Sequence, residues 1–355
     1  MREAHERKRR ECSMSFESVP GQPRAKRFLQ RLVMNGTIPH ALLLTGMKGI
    51  GKRALAEAFA KLLNCLAPSP AGACDRCASC TKIEKGLHPD ILRVVRDGAF
   101  IKLDQVRDLR ERLRFMPSEG RFRVVVLEDA QDLKEEASNA LLKILEEPPA
   151  QNVFILMALE PQMLLPTIVS RCCHVRCQPL DEDWIARHLA ATYRIGDDQA
   201  RKIARLSFGS LDRAAWWVEA DRMDRLRQVL ERIARLKAAS VLDVFSMAAA
   251  WSKESEDLEQ DMECIKFWLR EKIMVGLEGS GDPEIFAAAS AEATGRLSIE
   301  ALLELYQAIE ETARRLRQHA NRQLALEGAG LKIRDLLNGK SCRYTLSKWG
   351  QSLSF

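Results

Sequence analysis

A glycine-rich segment, residues 46–53, constrains the fold of this chain more than any other feature. It reads GMKGIGKR and directly follows the apolar run ALLL at residues 41–44. The residues after it carry alanine, leucine and phenylalanine at the spacing of one helix face. A buried strand, a glycine-rich turn and a helix in this order are typical of a loop that cradles phosphate groups. The glycines let backbone N–H groups approach phosphate oxygens at the positive end of the helix dipole.

Within this segment the candidate nucleotide contacts are Gly46, Gly49, Gly51 and Lys52, the last reaching the outer phosphates. The next position should carry a serine or threonine hydroxyl that binds Mg²⁺. Here it is Arg53, which offers no acceptor atom and repels a metal ion. The sequence therefore predicts that ATP or ADP can be held without efficient hydrolysis. The alternative is a glycine-rich turn that binds nothing.

Four further apolar segments have strand character and are separated by helical patterns. The expected strands are residues 90–95, 123–127, 153–157 and 173–176, and the expected helices between them are residues 103–114, 134–147 and 163–170. This alternation predicts an α/β fold with a parallel sheet covered by helices on both faces. After residue 181 the pattern is helical throughout, including long helices over residues 254–277 and 298–324.

Charge and cysteine content limit the class of protein. The chain has 55 basic and 49 acidic residues, a net charge of +6 that does not by itself indicate a nucleic-acid-binding face. No apolar run is long enough for a membrane span, and the residues after Met1 do not have the apolar pattern expected of a signal peptide. We therefore expect a cytoplasmic protein whose ten cysteines are reduced thiols or metal ligands.

Four of these cysteines, Cys65, Cys74, Cys77 and Cys80, follow the spacing C-x8-C-x2-C-x2-C. Four thiolates in one short loop suit tetrahedral Zn²⁺, with Zn–S bonds of about 2.3 Å. An iron–sulfur cluster or free thiols are the alternatives. Because the protein would supply all four ligands, we expect the zinc to be structural and not catalytic.

Three charged positions are candidates for work on a nucleotide. Glu128 and Asp129 follow the apolar run at residues 123–127, where an acidic residue beside a phosphate loop organises Mg²⁺ and water. The alternative is a charged strand end at the carboxyl edge of the sheet. Arg171 precedes the last expected strand and is suited either to stabilise a phosphoryl group on a neighbouring subunit or to cap its own helix.

Taken in order, several segments resemble the delta-prime family of bacterial DNA polymerase III clamp-loader subunits, which are AAA+ proteins. They are VPGQ (19–22), PHALLLTG (39–46), GIGK (49–52), the four cysteines, HPD (88–90), NALLKILEEPP (139–149) and PTIVSRC (166–172). The resemblance covers residues 16–180. GSL at residues 209–211 extends it, and NRQLALE at residues 321–327 is similar to the family's collar helix.

The resemblance implies a domain order. Residues 16–180 would be an AAA+ domain with a zinc insert at residues 65–80. From composition, the charged start MREAHERKRR has no apolar face, so we expect residues 1–15 to be a disordered tail, with Met14 a candidate start. Residues 181–220 would form a helical lid, residues 221–340 a helical collar, and residues 341–355 a tail. Arg171 would be an arginine finger offered to the ATP of the adjacent subunit, and the four cysteines would bind zinc.

The resemblance also implies a partner set. The chain would be a stator in a hetero-pentameric ring with gamma/tau motor and delta subunits, part of a DNA polymerase holoenzyme. That ring loads a sliding clamp onto primed DNA during replication, with no membrane partner. Arg53, Leu159 (where active members carry a polar sensor) and Asp212 (where motors carry a phosphate-sensing arginine) depart from the ATPase pattern.

Because phosphoryl transfer depends on positioning and electrostatics, these departures predict little or no intrinsic ATPase activity. One rival interpretation is a catalytically active motor ATPase that tolerates Arg53. Another is a free-standing zinc-containing DNA-binding protein, which the balanced charge and the lack of interleaved aromatic and basic residues disfavour.

Overall fold

The computed structural model describes residues 16–69, 72–219, 222–254, 258–278, 297–317 and 321–339. These residues fall into two compact units that divide between Ala214 and Ala215. The predicted tails at residues 1–15 and 341–355 lie outside the described residues. The predicted borders of the lid and collar remain predictions.

The first unit is built on a five-stranded parallel sheet. Its strands are β1 (Ala41–Thr45), β2 (Ile91–Val94), β3 (Arg123–Leu127), β4 (Asn152–Ala158) and β5 (Cys173–Arg176). They lie in the order β2-β3-β4-β1-β5, and every pairing is parallel. All residues of β1, β3 and β4 are buried, as expected for strands covered on both faces. The predicted α/β fold is confirmed.

Helices cover both faces of this sheet. In chain order, the helices up to the boundary between the two units are α1 (Pro23–Met34), α2 (Lys52–Asn64), α3 (Ala78–Glu84), α4 (Leu103–Leu113), α5 (Glu135–Glu146), α6 (Pro166–Val169), α7 (Glu182–Tyr193), α8 (Asp197–Leu206) and α9 (Leu211–Val218), which crosses that boundary. Because side chains alternate along a strand, Leu42 and Leu44 pack with Phe59 of α2 on one face. Leu43 packs with Leu141 of α5 on the other. The sheet thereby fixes α2 and the loop before it.

Two local elements differ from the sequence prediction. In place of the single helix predicted over residues 163–170, the structure has a 3₁₀ turn (Pro161–Met163) followed by the single-turn helix α6. Pro166 is tolerated at the start of a helix but interrupts a longer one, because it lacks an N–H group and clashes with the preceding turn. The cysteine insert, expected as a loop, contains α3, whose N-cap is Cys77.

The second unit is helical. Its helices are α10 (Arg222–Leu236), α11 (Val241–Glu254), α12 (Leu258–Glu278), α13 (Ile299–Arg317) and α14 (Arg322–Leu337). Helix α12 packs on α13, and α11 packs on α14. The single helix predicted over residues 298–324 is wrong. Asn321 starts a new helix there, because its side chain accepts a hydrogen bond from the Leu324 N–H at 3.1 Å.

Across the described ranges, none of the helices combines the length and apolar character needed to cross a membrane.

Candidate functional site

The phosphate loop, residues 46–51, leaves β1 at the carboxyl edge of the sheet and leads into α2. Its first glycine is tied to the neighbouring strand, because the Gly46 N–H donates to the Leu159 carbonyl at 3.0 Å. Within the described part of the chain, the backbone N–H groups of Lys48, Gly49 and Gly51 have no acceptor. Free N–H groups at the start of a helix are the donors that a bound phosphate requires.

Lys52 lies against this loop. Its Nζ donates to the Gly46 carbonyl and to the Met47 carbonyl, the latter at 2.8 Å. Burial lowers the pKa of the Lys52 ammonium, while the charges of Asp129 and Asp212, among others, act in the opposite direction. The lysine therefore stands at the predicted position but contacts the loop's own carbonyl oxygens.

Arg53 and the two predicted acidic residues meet beside the loop. The Arg53 Nε lies 3.4 Å from the Glu128 Oε1, and the Lys48 Nζ lies 3.5 Å from the Asp129 Oδ1. Both carboxylates that a phosphate-loop ATPase would direct toward Mg²⁺ are thus paired with cations of the same loop. Arg53 replaces the hydroxyl ligand of Mg²⁺, and each carboxylate already lies within 3.5 Å of a cation, so these residues do not fit the ion. The Arg53–Glu128 contact is an ion pair and not a hydrogen bond, since the buried Glu128 Oε1 accepts none from the described residues.

The start of α9 rests on the outer side of the loop. The Ser210 Oγ donates to the Lys48 carbonyl and the Leu211 N–H donates to the Gly49 carbonyl, both at 2.8 Å. Gly49 has φ +74°, and a Cβ there would lie 2.6 Å from the Asp212 backbone nitrogen. Only glycine fits this approach. Asp212 therefore places a negative charge beside the phosphate loop, where a bound phosphate would also be negative.

The four predicted cysteines come together beyond the far end of α2. The Sγ atoms of Cys65, Cys74, Cys77 and Cys80 all lie within 4.8 Å of one another, and this cluster could hold a metal ion. Two backbone N–H groups already point at sulfur: that of Cys74 donates to the Cys65 Sγ at 3.3 Å, and that of Cys80 to the Cys77 Sγ at 3.5 Å. The thiols are free.

Hydrogen bonding prepares one of these sulfurs for a metal. The backbone N–H groups of Arg76 and Cys77 lower the pKa of the Cys74 thiol to about 6. Burial raises the pKa of the Cys65 and Cys80 thiols, so a metal ion would have to displace their protons to form the thiolates that bind it. The chemistry and mutual distances of the four sulfurs therefore fit a tetrahedral thiolate site.

A buried lysine fastens this cluster to α2. The Lys61 side chain is fully buried, and its Nζ donates to the Asp75 Oδ1 at 3.0 Å and to the Glu84 Oε2 at 3.2 Å. Asp75 lies between two of the cysteines, and Glu84 ends α3. A buried ammonium needs such partners, so Lys61 joins the insert to the helix that follows the phosphate loop.

Arg171 lies away from its own phosphate loop. It lies two residues before Cys173, where β5 begins at the amino edge of the sheet. The register of β5 against β1 pairs Cys173 with Leu42 and Arg176 with Thr45. Since the loop leaves β1 after Thr45, roughly 10 Å of strand separates the two edges. Arg171 donates to the Thr167 carbonyl at 3.0 Å and to the Glu146 Oε1 at 2.8 Å. The first contact is the one expected if Arg171 caps its own helix.

Sequence reasoning missed several supporting residues. Gln22 is buried and donates to the Ile50 carbonyl of the phosphate loop at 2.9 Å, and to the Gln178 carbonyl after β5 at 2.6 Å. Lys61 and Glu146 were also missed, since their partners are distant in sequence. Among these supporting contacts, the sequence could have predicted the Arg53–Glu57 pair at 3.3 Å, because residues four apart on a helix lie on the same face.

The sheet order, the phosphate loop after β1 and the acidic residues after β3 define an AAA+ P-loop domain. Comparison with known sequences agrees: residues 21–181 match the protein family described as "DNA polymerase III, delta subunit". The matched segment is a little under half of this chain, which is similar to that family through its first unit.

Relatives of two kinds match. The delta' subunit of Pseudomonas aeruginosa is 45% identical over 157 residues, which cover 42% of this chain and 48% of that protein. The delta' subunit of Bacillus subtilis is 34% identical over 215 residues, covering 61% and 64%. The tau/gamma subunit of Haemophilus influenzae is 37% identical over 177 residues, covering 50% and 25%. The matches thus span less than two thirds of each of these relatives.

Proposed function

We propose that this chain is a delta-prime-type stator of the DNA polymerase III clamp loader. In this role it sits in a ring with gamma/tau and delta subunits and helps to load the sliding clamp onto primed DNA during replication. The family match over residues 21–181 and the delta' relatives support the assignment. The observation that carries the stator role is the Arg53–Glu128 contact at 3.4 Å.

Three departures from the ATPase pattern lie around one loop. Arg53 neutralises Glu128, Leu159 offers the loop only a backbone carbonyl in the described contacts, and Asp212 adds a negative charge. Hydrolysis needs metal, water and phosphate in fixed positions, and these groups position none of them. The chain itself therefore has little or no ATPase activity.

Arg171 is the residue that acts, on the nucleotide of the adjacent subunit. Its place at the amino edge, away from its own phosphate loop, and its side chain, 35% exposed, suit contact with a neighbour. The guanidinium spreads positive charge over the leaving phosphoryl group. In the isolated chain, Glu146 and the Thr167 carbonyl hold it in place.

Reconstitution of the loader tests this role. Arg171→Ala should leave the chain folded and the ring assembled, and should reduce turnover at the one adjacent ATP site by about 10³-fold or more. The DNA-stimulated ATPase activity of the whole loader should then fall by the fraction of turnover that this one site contributes. Arg187→Ala is the matched control, since Arg187 also donates to a carbonyl four residues earlier. Undiminished activity with Arg171→Ala would refute the role.

The cysteine cluster binds a structural zinc ion in this proposal. Cys65, Cys74, Cys77 and Cys80 would supply all four ligands, which leaves no open position for a substrate. When bound, the ion crosslinks the end of α2 to α3. Lys61 holds the same two segments through Asp75 and Glu84, independently of the ion.

The second candidate function is that of the motor ATPase. The match to tau/gamma relatives and the presence of Lys52 favour it. An ATPase assay on the purified chain distinguishes the two. If the chain is a stator, wild type and Lys52→Ala should hydrolyse equally little ATP. ATP hydrolysis that is lost in Lys52→Ala would identify a motor.

A further inference from the structure

The phosphate loop carries a cation of its own at the place of the metal. Two groups normally hold Mg²⁺ beside the phosphates, a hydroxyl at the position of Arg53 and a carboxylate at the end of the adjoining strand. Here those two positions contact each other, with Nε of Arg53 3.4 Å from Oε1 of Glu128. The guanidinium of Arg53 therefore contacts the carboxylate that would otherwise face the metal.

Neighbouring charges hold this guanidinium in place. The Arg53 Nε also lies 3.3 Å from the Glu57 Oε1, and Glu57 is itself paired with Arg93 of β2. On the other side of the loop, Lys48 pairs with Asp129 at 3.5 Å. A Mg²⁺ ion entering here would have to separate both acidic residues from their cations and lie next to a fixed positive charge.

The hydrogen-bond donors that would bind an anion are nevertheless present in the loop, although Asp212 adds a negative charge beside them. The N–H groups of Lys48, Gly49 and Gly51 have no acceptor within the described residues, and Lys52 lies beside them. The loop can therefore donate hydrogen bonds to phosphate oxygens while its metal position is filled by protein.

We propose that Arg53 takes the place of Mg²⁺, so that this loop binds ADP or ATP as the metal-free polyphosphate. Glu128 and Asp129 remain neutralised by Arg53 and Lys48 and do not repel the ligand. Mg²⁺ then gives no gain in affinity and competes with the loop for the nucleotide. This inference concerns the chain's own loop and does not depend on the role of Arg171.

Nucleotide titration of the full-length chain tests it. A fluorescent ADP analogue, with unlabelled ADP and ATP as competitors, is titrated in excess EDTA and in millimolar Mg²⁺. The wild-type chain should bind equally well or more tightly in EDTA. Arg53→Thr restores the hydroxyl ligand and frees Glu128, so Mg²⁺ should tighten its binding by about tenfold or more. Lys52→Ala should weaken binding under both conditions.

The control for loss of an arginine is Arg96→Thr. Arg96 is as exposed as Arg53, at 52% against 51%, and pairs with Asp132 at 3.7 Å. Its variant should bind as the wild-type chain does. Three results would overturn the proposal: tighter wild-type binding with Mg²⁺, no difference between Arg53→Thr and wild type, or no binding of ADP and ATP in either condition.

Discussion

The two ends of helix α2 differ in the ligands they offer to a metal ion. At its amino end, Arg53 occupies the position of a metal-binding hydroxyl and contacts Glu128. At its carboxyl end, Cys65 begins a cluster of four sulfur atoms within 4.8 Å of one another. One helix of thirteen residues thus joins a phosphate loop without a metal site to a cluster that can hold a metal ion.

The charges around the phosphate loop and the stability of the domain therefore depend on separate residues. The pairs at the amino end are half-exposed, with the Arg53 and Lys48 side chains 51% and 53% accessible. Such pairs contribute little to folding. At the carboxyl end Lys61 is fully buried, and a metal ion would crosslink two segments. Replacing the metal-binding group of the loop therefore costs the fold little.

The largest effect is expected from Cys77→Ser. Loss of one thiolate should abolish binding of zinc, about one equivalent in the wild-type chain. If free zinc exceeds its Kd by about a thousandfold, the lost stability is about 4 kcal/mol. Elemental analysis and thermal unfolding of protein made under reducing, zinc-replete conditions measure both. Cys173→Ser, which changes a half-buried thiol of β5, should retain the zinc. A wild-type chain without zinc would contradict the proposed site.

Lys61→Met should have the next largest effect. It removes a fully buried ammonium and leaves Asp75 and Glu84 without their common partner. The two carboxylates are partly exposed, so the free energy of unfolding should fall by about 2–3 kcal/mol, less than for a fully buried pair. Urea unfolding measures the change.

The control for Lys61 is Lys82, which lies on α3 next to the cysteine cluster. Lys82→Met removes an exposed ion pair between α3 and Glu119, and should change the free energy of unfolding by about 1 kcal/mol or less. Equal effects of the two variants would show that burial of Lys61 does not determine its contribution.

The smallest change in stability is expected at the amino end of α2. Arg53→Thr removes half-exposed contacts with Glu57 and Glu128, so the free energy of unfolding should change by about 1 kcal/mol or less. Urea unfolding in parallel with Lys61→Met tests the comparison directly. If Arg53→Thr lowered the free energy of unfolding as much as Lys61→Met does, the two ends of α2 would not differ in their contribution to stability.

Local patterns in the sequence were sufficient for much of the first unit. The continuous apolar run of β3 and the strand–glycine–helix order around the loop depend on neighbouring residues only, and the structure bears them out. The pairing of Arg53 with Glu128 joins residues far apart in the chain. No local pattern predicts it, because it depends on β3 and β1 lying in one sheet with β4 between them.

In the helical unit, the local pattern failed to predict where one helix ends and the next begins. Residues 298–324 have a continuous helical pattern, yet a new helix begins at Arg322 behind the Asn321 cap. Asparagine is a helix-start signal, but periodicity alone does not register it when helix-forming residues lie on both sides.

The sequence by itself determined the fold class, the phosphate loop, the missing hydroxyl at Arg53 and the spacing of the four cysteines, because each depends on residue types at short range. The tertiary structure decided which charges those residues meet. It placed Arg53 against Glu128, Lys61 between Asp75 and Glu84, and Arg171 beside Glu146. Charge pairing depends on distance in space, and only packing of the sheet and its helices sets those distances.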